Sequence, residues 1–177
     1  MIYIGIDPGM SGCIVSMSGS NIVWTKIPVI AKKKGGHDYD VSGVNRIILN
    51  LKSQNEGEQF FAAVERVSIF PVSKKSRANP AHEKQTSMVT NSTQFYCSGL
   101  LHGILTAHNI PFIEVHVISW KKKILEGLGG DKSIAIKYVN NRFPGLRITE
   151  LPKGIQPNLA DAVCIAFYGR MIHLGEK

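Results

Sequence analysis

Three carboxylates, far apart in the chain, stand where acids could act on a phosphodiester. Asp7 follows the alternating apolar run Ile2, Ile4, Ile6 and enters a turn built from Pro8, Gly9, Ser11 and Gly12. Glu65 sits at the carboxyl end of the apolar run from Phe60 to Val67, and Asp161 lies in the first turn expected for the last helix. A carboxylate at the edge of a core is costly unless a positive partner meets it. The partner suited to oxygen donors is a hard divalent cation. Three such acids can hold two Mg²⁺ (or Mn²⁺) roughly 3.5–4 Å apart with a phosphodiester between them, one ion activating water and the other stabilising the leaving 3′ oxygen. Oxygen-only ligation argues against zinc. Taken alone, Asp7 also reads as a turn initiator acting through its side chain. Metal chemistry therefore needs elements that bring the acids together.

The elements expected from patterning supply a way to do so. Residues 2–6, 13–17 and 21–27 read as strands of an antiparallel meander joined by short Gly/Ser turns. Residues 31–39, with Lys32, Lys33, Lys34, Gly35, Gly36 and His37, read as a flexible basic loop, either solvated or touching phosphate. Val41, Val44, Ile47, Ile48 and Leu51 have helical spacing, with Asp40 or Ser42 as cap. The nearly continuous apolar run 60–67 suits a strand buried on both faces of a parallel sheet. If it lies beside the first strand and parallel to it, Asp7 and Glu65 converge at the carboxyl ends, where ligands gather in open α/β sheets. A basic loop follows. A helix is expected from about Asn91 through Phe95, Leu100, Leu101, Ile104, Leu105 and His108, and a strand at 111–117. Ser119 is expected to cap a helix holding Trp120, Lys121, Lys122 and Lys123, and Asp131 or Ser133 to open another. Residues 147–157 read as loop, and 159–174 as the last helix with Asn158 as its N-cap.

Bulk properties narrow the partners. The 177 residues suit one domain spanning 1–177. Lys and Arg number 21 against 13 for Asp and Glu, a formal charge of +8, which points to a polyanion: nucleic acid first, an anionic membrane second. Cys13, Cys97 and Cys164 form no CxxC pair and read as buried thiols in a reducing compartment. No apolar run approaches a membrane span, and the N-terminus lacks a signal-peptide pattern, so the expectation is an intracellular protein without a membrane partner.

Four segments, in this order, resemble a known family. Ile-Gly-Ile-Asp-Pro-Gly-Met-Ser-Gly at 4–12, Ala-Val-Glu-Arg-Val at 63–67, Ser-Trp-Lys at 119–121 and Ala-Asp-Ala-Val-Cys-Ile-Ala at 160–166 are similar to RuvC-type Holliday junction resolvases of the ribonuclease H-like superfamily. The opening and Ser-Trp-Lys segments are most similar to the phage, mitochondrial-type and chloroplast branches. The resemblance implies an α/β, ribonuclease H-like fold: a five-stranded mixed sheet, its first three strands antiparallel and the rest parallel, flanked by helices. It implies a homodimer that binds four-way junction DNA and makes two symmetric nicks with two Mg²⁺ or Mn²⁺ per site. Asp7, Glu65 and Asp161 match the metal-binding acids. Asn158 falls where the family usually has Asp or His, so either three acids suffice or this is an Asp-to-Asn form that cuts slowly or not at all. Lys121 matches a lysine near the scissile phosphate, and Lys132 a DNA-contacting lysine. Ile69 and Phe70 resemble a wedge that separates bases at the crossover, with Lys74, Lys75 and Arg77 along a junction arm. The helix around Gly99 and Gly103 is the expected dimer face. The family implies a bacterial or phage cytoplasm, or a DNA-containing organelle such as the mitochondrion. Competing functions are another ribonuclease H-like nuclease, cutting hybrids or flaps, and a junction-binding protein without catalysis. A sugar-kinase-like ATPase shares the opening motif but needs two lobes, for which the chain is too short.

Overall fold

A computed structural model describes residues 1–33, 36–67, 88–128 and 133–176. Its centre is β1 (Ile2–Ile6), buried along its whole length. β2 (Cys13–Ser18) pairs antiparallel with β1, and β3 (Asn21–Lys26) antiparallel with β2. After a two-stranded hairpin, β4 (Val29–Ala31) and β5 (His37–Tyr39), and helix α1 (Val41–Ser53), the chain returns as β6 (Phe60–Glu65), parallel to β1. Helix α2 (Met88–Ala107) leads to β7 (Phe112–Val115), parallel to β6. Helices α3 (Val117–Leu125), α4 (Ile134–Arg142) and α5 (Gln156–Leu174) complete the order. The main sheet has five strands in the order β3-β2-β1-β6-β7, mixed as expected.

Alternation along the strands divides the interior in two, because successive side chains leave a strand on opposite faces. Tyr3, Cys13, Val15, Met17 and Ala63 pack in one cluster with Leu159, Val163 and other residues of α5. Ile4, Ile6, Ile14, Ala62 and Val64 pack in the other with Val44, Ile48, Leu101 and Leu105 from α1 and α2. The first cluster needs a close approach. A Cβ on Gly5 would lie 2.2 Å from the Ala162 carbonyl oxygen and 2.5 Å from the Ala166 nitrogen, so only glycine lets α5 lie on β1.

Three local expectations are corrected. Residues 31–39 are not simply a loop: His37–Tyr39 pairs with Val29–Ala31, Lys32 and Asp38 pair at 3.2 Å, and Tyr39 is buried. Three-residue strands are too short to leave a period in the sequence. The last helix begins at Gln156, with Pro157 in its first turn, where a missing N–H costs nothing. Asn158 is therefore inside the helix rather than its N-cap, and Asp161 lies in the second turn. Ser119 likewise lies inside α3, which His116 precedes as N-cap. The expected helix through Phe95 is present as α2, and on it Phe95 is 43% exposed. The Asp40 cap on α1 is present, its side chain accepting from the Gly43 N–H at 2.8 Å. Among the described residues no helix is long and apolar enough to cross a membrane.

Candidate active site

The parallel pairing of β1 and β6 decides where the first two acids go. Ile6 is in register with Val64, so Asp7 and Glu65 follow at the same sheet edge. Both line one cleft, with Gly9, Arg66, Gln94 and Ile118. Asp161 reaches the same region from α5, which Gly5 admits onto β1. Lys121, on α3, extends its ammonium to 4.0 Å from Asp161 Oδ2.

The electrostatics record that the acids share one field. Burial pushes Asp7 up to about 6; the Gly9 N–H, 3.3 Å from Oδ1, works against this, the charge of Asp161 adds to it, and Lys121 opposes it. Burial pushes Glu65 up to about 7, opposed by a hydrogen bond from Trp120, reinforced by the charges of Asp7 and Asp161, and again opposed by Lys121. Asp161 is raised by burial and held back by Lys121. Each acid thus bears a desolvation cost that a cation would relieve.

The turn between β1 and β2 is fixed tightly. The Gly12 N–H donates to the Gly9 carbonyl at 2.8 Å, and the Asp7 N–H to the Cys13 carbonyl at 3.1 Å. A Cβ on Gly12 would lie 2.0 Å from the Asp7 carbonyl oxygen, so that position requires glycine. The Tyr39 hydroxyl donates to the Pro8 carbonyl, and Asn158 Nδ2 donates to the Ser11 carbonyl at 2.7 Å.

The donor set fits a hard divalent cation in kind: carboxylate oxygens, with no thiol or imidazole among them. Among the described residues, no three His, Cys, Asp or Glu side chains are gathered closely enough to hold a metal as they stand. Glu65 Oε2 accepts from Trp120 Nε1 at 2.9 Å, Asp7 Oδ1 faces the Gly9 N–H, and Asp161 faces Lys121.

Of the residues singled out from sequence, Asp7, Glu65, Asp161 and Lys121 come together, and Asn158 meets the same turn. Ile69, Phe70, Lys74, Lys75, Arg77 and Lys132 lie outside the described residues. Sequence reasoning missed two participants. Trp120 is fully buried and holds Glu65; the apolar spacing of Trp120 with Ile124 would have placed it on the inner face of α3. Arg66, next to Glu65, meets His116 Nε2 at 3.1 Å; nothing local signals that pairing.

No family model matches the chain, and no curated protein matches it in sequence. Solved structures do match in fold. Thermus thermophilus RuvC in complex with Holliday junction substrate superposes with a TM-score of 0.57 at 16% identity, covering 97% of this chain and 96% of that one. A second Thermus thermophilus RuvC structure gives 0.56 at 16% identity with the same coverage. The chain has the RuvC-like, ribonuclease H-like fold expected from its motifs.

Proposed function

We propose that this chain is a structure-selective endodeoxyribonuclease that resolves four-way DNA junctions by paired symmetric nicks. The observation that carries this is the meeting of Asp7, Glu65 and Asp161 with Lys121 at one sheet edge, in a fold whose solved neighbour was captured on a Holliday junction. The formal charge of +8 suits so polyanionic a substrate.

In this proposal Asp7, Glu65 and Asp161 hold the divalent cations, Mg²⁺ or Mn²⁺. The bound ions would lower the pKa of an attacking water and offset the charge that builds on phosphorus. Trp120 orients the Glu65 carboxylate, and the ammonium of Lys121 adds positive charge beside the scissile phosphate. Lys132, Lys74, Lys75 and Arg77 would contact phosphates along the arms, and Ile69 with Phe70 would part bases at the crossover.

Two symmetric cuts need two sites, so the working form is a homodimer. Its proposed face is the outer side of α2, where Phe95 and Tyr96 are 43% and 57% exposed. A Cβ on Gly99 or Gly103 would meet nothing within 4 Å in the described chain, leaving room for a second backbone.

The test is a mobile four-way junction incubated with and without Mg²⁺, beside linear duplex, an RNA–DNA hybrid and a flap. Paired nicks on the junction with the duplex spared are expected. Asp7→Asn is expected to lower cutting by roughly three orders of magnitude while junction binding persists. Preference for hybrid or flap would reassign the substrate. Junction binding without Mg²⁺-dependent cutting would leave a binding protein, and undiminished cutting by Asp7→Asn would end the metal-acid mechanism.

A further inference from the structure

Asn158 makes a contact that a helix N-cap, whose side chain accepts from backbone N–H groups, would not make. Its amide Nδ2 crosses from α5 to the turn after β1 and donates to the Ser11 carbonyl at 2.7 Å. Asp161 is three residues further along the same helix, and residues so spaced share a helix face. At the other end of the bond, Ser11 belongs to the short turn that Asp7 opens. This single hydrogen bond therefore ties the helix carrying one acid to the turn carrying another.

The opposite side of the turn is also held. The buried Tyr39 hydroxyl donates to the Pro8 carbonyl, with the Gly9 carbonyl 3.5 Å away. Tyr39 belongs to β5, so the hairpin serves as a bracket on the turn. The turn cannot shift without breaking one side-chain bond or the other. Gly12 packs close to the Asp7 carbonyl, where an added Cβ would fall 2.0 Å from its oxygen.

Resting on the nuclease function above, we propose that Asn158 is a positioning residue whose amide N–H sets the spacing of Asp7 from Asp161. The side chain at 158 must then donate a hydrogen bond. An ionised carboxylate is acceptor-only. Asn158→Asp would face the Ser11 carbonyl with no proton to offer and would add negative charge on the helix face that carries Asp161. The substitution is therefore damaging rather than restorative. That is the opposite sign from a site that merely lacks its fourth acid.

The experiment uses the full-length chain and two variants, Asn158→Asp and Asn158→Leu, the second similar in size with no donor. The first readout is amide hydrogen exchange, without metal, in peptides covering residues 8–13. Losing one hydrogen bond is expected to speed exchange there roughly two- to tenfold in both variants, with the core of β1 and β6 unchanged. The second is junction cutting at saturating Mg²⁺ against junction affinity in Ca²⁺. Misplaced groups slow the chemical step, so kcat is expected to fall roughly ten- to a hundredfold in both while affinity stays within about twofold. Exchange unchanged in both variants, or cutting by Asn158→Asp at or above the unsubstituted rate, overturns the proposal. If the unsubstituted chain cuts no junction, the nuclease function fails; the exchange measurement still decides whether the amide holds the turn.

Discussion

Trp120 Nε1 donates to Glu65 Oε2 at 2.9 Å, so a side chain with no solvent exposure has its one polar atom spent on a site acid. The bond joins α3 to the end of β6. It holds down the pKa of Glu65, which burial otherwise raises. Lys121 is the next residue, and its ammonium lies 5.1 Å from the Trp120 ring centroid. Burying the indole therefore also aims the lysine at the acids.

Trp120→Phe removes this donor and leaves some of the indole volume empty. A loss of about 2–3 kcal/mol in denaturant unfolding is expected from the cavity and the lost hydrogen bond. Glu65 then titrates higher than about 7, so cutting falls more at pH 7 than at pH 9. A pH–rate profile with an acid limb displaced upward checks this; a uniform loss at every pH would mean that Trp120 acts only through packing.

Without metal, the acids make stability depend on pH in an unusual direction. Asp7 is raised from 3.8 to about 6 and Glu65 from 4.5 to about 7, so between these limits the folded chain binds more protons than the unfolded one. Stability then falls as pH rises through roughly 4 to 7 and levels off above. The combined loss is on the order of a few kcal/mol. Unfolding in EDTA from pH 4.5 to 8 should show the decline, and saturating Mg²⁺ should flatten it. Glu65→Gln is expected to make the metal-free protein more stable at pH 8 while disabling it, the trade found where sites hold strained groups. A metal-free stability that rises with pH across this range would contradict the field described for the three acids.

Gly5→Ala tests how α5 is seated. The new methyl would fall 2.2 Å from the Ala162 carbonyl oxygen and 2.7 Å from the Ala166 Cβ. Backbone is the obstacle, so the helix must lift from β1 and carry Asp161 with it. A destabilisation of about 2–4 kcal/mol is expected, at the upper end of overpacking costs. Cutting should fall further than stability alone explains, measured where the variant is still fully folded. Full activity in folded Gly5→Ala would show that Asp161 tolerates displacement.

Much of this was legible along the chain. The apolar alternation of β1 and the doubly buried run of β6 announce two strands, each with an acid at its carboxyl end. The Asp40 cap and the apolar face of α5 were equally readable, because period and capping are local properties. What folding alone decided is which donor meets which acid. A helix turns about 100° per residue, so reading Pro157 as loop and starting α5 late hid the fact that Asn158 and Asp161 share a face. The hairpin that brings Tyr39 to Pro8 has strands too short for any period to register. Trp120 with Glu65, Arg66 with His116 and Asn158 with Ser11 join residues 50 or more positions apart. Such pairings depend on strand register and helix rotation together, and no local pattern encodes both.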